Sequence, residues 1–71
     1  MAVDEASFIS SNLSSGQYDD ETHVMTIEFL SGMSYAYSGV PEDVWMALKT
    51  AASPGRFMLD HVKNRYPYEQ V

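Results

Sequence analysis

The sequence contains no cysteine, so neither a disulfide framework nor a thiolate metal site is open to it. Basic residues are scarce. Four Lys and Arg stand against ten Asp and Glu, for a net charge of −6. The deficit has a direction along the chain. Residues 1–40 carry Asp4, Glu5, Asp19, Asp20, Glu21 and Glu28 with no Lys or Arg, whereas residues 41–71 balance Glu42, Asp43, Asp60 and Glu69 against Lys49, Arg56, Lys63 and Arg65. An acidic body repels nucleic acid at long range, so a phosphate-bearing ligand has to be met by the C-terminal part. No apolar run approaches the roughly 20 residues of a membrane span, and no basic stretch followed by an apolar one opens the chain. The expectation is a cytoplasmic protein with no membrane contact. Histidine is limited to His23 and His61. Neither has the carboxylate–His spacing of a metal site, and no Ser or Cys nucleophile motif accompanies them. They read as a solvated strand-end His and a helix-surface His. No metal, no cofactor and no enzyme chemistry are expected.

A chain of 71 residues makes one small domain, which buries only about 60% of its unfolded surface. Self-association into a homo-oligomer would be one way to bury more. Residues 1–7 lack periodicity and are expected to form a flexible N-terminal extension, leaving 8–71 as a single domain.

The stretch from Met25 to Pro41 organises the rest. Residues 23–30 alternate, with Met25, Ile27 and Phe29 on one face and Val24, Thr26, Glu28 and Leu30 on the other. Ser31-Gly32 then reverses the chain into a strand from Met33 to Ser38. A two-residue loop would pair Glu28 with Tyr35 and Thr26 with Tyr37, setting both tyrosines on the wetter face. A three-residue loop, Leu30 to Gly32, pairs Phe29 with Met33, Ile27 with Tyr35 and Met25 with Tyr37, and turns the tyrosines toward the core. Glycine at the last loop position suits a type I turn followed by a left-handed bulge residue, whereas a two-residue type I′ turn needs a positive φ that Ser31 disfavours. The steric argument favours the three-residue loop.

Before the hairpin, residues 10–19 read as a weaker strand in which Gly16 marks a bulge or a close approach. Asp19 to Thr22 is a turn, since Asp side chains bond nearby backbone N–H groups. After it, Pro41 opens a helix over 41–52, with Glu42 and Asp43 at the positive end of its dipole. Val44, Leu48 and Ala51, with Trp45 and Ala52 beside them, make its apolar stripe. Ser53 caps a second helix over about 54–65. Met58, Leu59, Val62 and Tyr66 are expected on its apolar side, and Arg56, Asp60 and Lys63 opposite. The tail after Tyr68 is expected to be extended or loose. The fold class is α+β: a three-stranded antiparallel β-meander followed by two α-helices packed on one face, βββαα.

An ordered set of short pieces is also present. It comprises Gly16-Gln17-Tyr18-Asp19, Phe29, Ser31-Gly32, Tyr35-Ala36-Tyr37, Gly39-Val40-Pro41, Ser53-Pro54-Gly55-Arg56-Phe57 and Tyr66-Pro67-Tyr68. Their order and spacing resemble the KTSC domain, a short family named for the C-terminus of some lysyl-tRNA synthetases and found also as a stand-alone bacterial and phage protein. The resemblance covers about residues 8 to 70. It implies a non-catalytic domain and, through the synthetase, a role with RNA. The chain departs from the family where relatives usually read GRYFN. Met58 replaces the second aromatic, Leu59 the amide, and Asp60 a commonly basic residue, which weakens the RNA reading for this member.

Several residues then become candidates for ligand binding. Tyr35 and Tyr37 could stack bases, or be sheet packing with wet hydroxyls. Ser53, Gly55 and Arg56 could cradle a phosphate or carboxylate at a helix start, or be an ordinary cap with Arg56 paired to Asp60. Lys63, Arg65, Tyr66 and Tyr68 could meet phosphate and base together, or be a helix end whose aromatics close the core. Trp45 and Met46 could mark an oligomer face, or Trp45 could be core. The reading that follows is a binding module for RNA or a nucleotide-like phosphate-bearing ligand. Its alternative is an inhibitory or protein-interaction protein whose acidic half docks on a basic partner, including a sponge that sequesters a signalling nucleotide.

Overall fold

The structure, a computed structural model, describes residues 2–71. Strands β1 (Val3–Ser7), β2 (Leu13–Asp19), β3 (Val24–Phe29) and β4 (Ser34–Tyr37) precede helix α1 (Glu42–Thr50). Helix α2 (Pro54–Phe57) runs on into a π-helical turn over Met58–Val62, and strand β5 (Tyr68–Gln70) follows. All five strands form one antiparallel sheet in the order β1-β2-β3-β4-β5. The α+β class and the two-helix half stand as expected. The strand count does not, since five strands replace three. No helix among the described residues is long and apolar enough to cross a membrane.

Both extra strands are edges. Residues 1–7, expected to be a loose extension, contain β1, paired from Val3↔Asp19 to Ser7↔Ser15. The tail contains β5, paired at Tyr37↔Tyr68 and Tyr35↔Gln70. Four of the five β1 residues and all three of β5 are exposed. Backbone pairing rather than apolar burial holds them, so they leave no alternation to read.

The hairpin follows the steric argument. Met25 pairs with Tyr37 and Ile27 with Tyr35, and the Phe29 N–H donates to the Met33 carbonyl at 2.8 Å. Gly32, at φ +94°, is the left-handed residue that closes the turn. Tyr37 is buried and Tyr35 half-buried on the apolar face. Asp19 makes the expected turn, its Oδ1 accepting from the N–H groups of Glu21 at 2.9 Å and Thr22 at 3.3 Å.

The core gathers on Trp45. Its indole stacks on Tyr18, with ring centroids 6.0 Å apart and planes 14° apart, and meets Phe8 edge-on at 6.4 Å. Trp45 is therefore core, while Met46 beside it is exposed. A bulge between Leu13 and Ser15 sets both Leu13 and Gly16 opposite apolar β3 residues, Phe29 and Ile27. A Cβ on Gly16 would lie 2.8 Å from Ile27 Cδ1 and 3.2 Å from Trp45 Cζ3. That is the close approach glycine permits. The Tyr18 hydroxyl donates to the Val40 carbonyl at 2.6 Å and ties β2 to the start of α1.

The helices are shorter than their sequence patterns. Pro41 keeps extended backbone and serves as the N-cap of α1. The second helix was expected over about 54–65, but its α-helical part is one turn. The Lys63 N–H then bonds the Met58 carbonyl at 2.8 Å, five residues back, and Asn64 at φ 68° ends the segment. This wider turn keeps Met58 and Val62 buried and leaves Leu59, expected on the apolar side, 56% exposed.

Replacing Tyr18 with Phe strands the buried Val40 carbonyl and is expected to cost about 1–3 kcal/mol, measured by denaturant unfolding. The N-terminal strand has a latch of its own. The Trp45 indole N–H donates to Asp4 Oδ2 at 2.9 Å, and the Lys49 ammonium bonds the same oxygen. First Lys49 and then Trp45 hold the Asp4 carboxyl below its ordinary value of 3.8. The latch is therefore intact above pH 3.8 and is lost as the pH falls through the lowered value. Asp4→Asn should speed hydrogen exchange of the Val3–Ser7 amides at neutral pH while the β3–β4 amides keep their protection.

Candidate ligand groove

Trp45 packs toward β1 and β2, so the β4–β5 end of the sheet is left with aromatic side chains and only partial cover. In β4, residues 35 and 37 point to the apolar face by strand alternation. In β5, Tyr68 stands opposite Tyr37 on the same face. Tyr68 lies 5.6 Å from both the Tyr35 and the Tyr37 ring, at 83° and 40°. Phe29 extends the row, 5.8 Å from Tyr35 and edge-on. Across from these rings run Gly55, Met58, Leu59 and, from the turn after the helix, Lys63 and Asn64. The space between is an open groove of about 370 Å3. Its floor is greasy, its wall is aromatic, and Lys63 is the one cation among its described lining residues.

Five of the nine expected binding residues thus meet in one place: Tyr35, Tyr37, Gly55, Lys63 and Tyr68. The other four do not line it. The Ser53 hydroxyl is occupied as a cap, accepting from the Arg56 N–H at 3.4 Å. Arg56 Nε bonds Asp60 Oδ2 at 2.9 Å, and its side chain is 73% exposed. Arg65 is exposed beyond the turn, and Tyr66 packs half-buried against the core. At the 53–56 turn expected as a phosphate cradle, a single helical turn follows and Arg56 is paired with Asp60. His23 is exposed, with a φ of 60° and its carbonyl bonded by Val40 N–H. His61 is exposed, its ring 4.8 Å from that of Phe57. No group of three metal-ligating side chains forms among the described residues.

Sequence reasoning missed Asn12 and Asn64, whose amides border the groove. Asn12 had a faint signal in Gly55. A Cβ there would meet Asn12 Nδ2 at 3.1 Å, so glycine lets the 10–12 loop close against α2.

The KTSC domain matches residues 9–66. The chain belongs to the KTSC domain family. A crystal structure of a KTSC domain protein from Yersinia pestis superposes with a TM-score of 0.92 at 28% identity, covering 99% of both chains. A lysine–tRNA ligase from Nostoc sp. (strain PCC 7120) is 36% identical over 67 residues, 94% of this chain and 11% of the ligase. A protein of Stutzerimonas stutzeri (strain A1501) is 47% identical over 47 residues, two thirds of each chain. This KTSC domain spans only about a tenth of the ligases it matches.

The groove's tyrosines differ in exposure, and that is measurable. Burial, then the neighbouring Tyr68 and Tyr35, pushes the Tyr37 hydroxyl above its ordinary value of 10.0, and burial does the same for Tyr18. In an ultraviolet titration Tyr18 and Tyr37 should ionise above the ordinary value of 10.0. Their contribution to stability is complete below pH 10.0 and is lost as the pH rises through the raised values, so Tyr37→Phe should soften the alkaline loss of stability.

Proposed function

We propose that this KTSC domain is a non-catalytic binding module whose groove takes a nucleotide-type ligand, a planar ring bearing phosphate. The ring stacks on the exposed Tyr68 and half-buried Tyr35, where aromatic platforms contribute about 1–3 kcal/mol per base, and Lys63 meets the phosphate. One observation carries the reading. In a chain with ten acids and a net charge of −6, no Asp or Glu is among the described residues lining this groove. The carboxylates are elsewhere, so the groove is where an anion meets the least repulsion. Ligases acting on tRNA are among the relatives, which agrees with this class of ligand.

A second reading has its own observation. The outer face of the sheet is hollowed over about 630 Å3 and holds Glu5 and Glu28 among Ser7, Ser15, Gln17 and Thr26, with no Lys or Arg among its described residues. Such a face suits a basic protein partner.

Thermal melts with mononucleotides and oligoribonucleotides test the first reading. At ligand about 100-fold above Kd, linkage adds about 2.7 kcal/mol, a Tm rise of about 10 °C or more at this size. Lys63→Ala and Tyr68→Ala should each remove most of the rise, and Arg56→Ala should leave it. If Arg56→Ala removes it and Lys63→Ala does not, the ligand sits on the 53–56 turn and the groove is excluded. If no nucleotide raises Tm, the second reading replaces the first.

A further inference from the structure

The tyrosine groove does not stop at Tyr35. A second hollow of about 440 Å3 shares Asn12, Phe29 and Tyr35 with it and runs on to Leu30 and Met33 at the hairpin tip. Met33, just before β4, and Tyr35 and Tyr37 within it alternate onto one face, about 7 Å apart along the chain. Tyr35 is therefore a divider with a place for a flat group on either side of it. The outer place is apolar and open, with Leu30 58% and Met33 39% exposed. Its rim is Ser11, Asn12 and Ser31, and again no Asp or Glu is among its described lining residues. The Met33 sulfur accepts from the Gln70 amide at 3.5 Å, which anchors that side chain to β5.

We infer that the groove and the hairpin-tip hollow are two consecutive subsites of one trough, and that the ligand is a single strand of at least two nucleotides. The inference rests on the proposed nucleotide reading and adds a length requirement to it. One ring stacks on Tyr68 and Tyr35, and the linking phosphate passes the ridge at Tyr35. The neighbouring ring lies on Leu30 and Met33, whose soft apolar surfaces accept the face of any base. The three-residue reversal at Gly32 is what brings Met33 and Tyr35 together onto the Phe29 side, because a one-residue change of register would send both to the other face.

Calorimetric titration of the whole chain with adenosine 5′-monophosphate and with the dinucleoside monophosphate ApA decides the matter. Each carries one phosphate, and ApA has the smaller charge, so tighter binding of ApA cannot be electrostatic. The expected result is ApA binding about tenfold tighter than the mononucleotide. In a Leu30→Ser, Met33→Ser double variant, checked for an unchanged melt, the ratio should fall to about one. Both side chains are exposed, so the fold tolerates the change. Equal affinity for the two ligands overturns the second subsite while leaving the nucleotide groove standing. So does a tenfold preference that persists in the double variant. Failure of both ligands to bind removes the nucleotide reading and this inference together.

Discussion

An indole needs a large flat partner on each side, and in this domain the second of those partners is a bare stretch of backbone. Trp45 lies on Tyr18 on one side and closes on Gly16 on the other, where an added Cβ would sit 3.2 Å from the indole and 2.8 Å from Ile27. The bulge just before Gly16 turns it and Leu13 onto the same face, and Tyr18, two residues later, ties α1 to the sheet through Val40. The indole N–H also reaches Asp4 and holds the first strand in place. Sheet, helix and N-terminal edge thus depend on one packing contact. In so small a chain little redundancy stands behind it.

That contact also decides where the surface stays open. Because α1 sits over β1 and β2, cover for β4 and β5 falls to the second helical segment, which is one α turn and one π turn long. The segment is too short to bury the aromatic row, and the row becomes a groove wall. Charge sorts itself along the same division. Asp4 is neutralised at the Trp45 side, Asp60 is paired with Arg56 on the outside of the second helical segment, and Glu5 and Glu28 face the far side of the sheet. The trough from Lys63 to Met33 is left without a carboxylate among its described residues, although the chain as a whole is acidic.

Much of this was legible in the residues, and for local reasons. Gly32 forced the three-residue reversal, and with it the register that turned Tyr35 and Tyr37 inward. The Asp19 turn and the Ser53 cap follow from short polar side chains bonding the backbone beside them. The edge strands were not legible, because their residues are nearly all exposed and their pairing is made by backbone groups common to every residue. Arg56 was open to two readings, a ligand arm or the partner of Asp60, and the ion pair of the second is present because side chains four residues apart meet on a helical turn. The early end of helix two was hidden too. A π turn is a change in hydrogen-bond partner, and the apolar spacing of Met58 and Val62 suits it as well as it suits an α-helix.

What the sequence determined alone is whatever a few neighbouring residues can enforce: the α+β class, the central hairpin and its register, the helix starts, the family, and the uneven spread of charge. These rest on steric limits and hydrogen bonds acting over four or five residues. Tertiary structure alone decided which five candidates share a groove, that β1 and β5 complete the sheet, and that Lys63 rather than Arg56 faces the tyrosines. Those outcomes turn on where Trp45 comes to rest, 29 residues along the chain from Gly16, and a local pattern carries no record of a contact made at that separation.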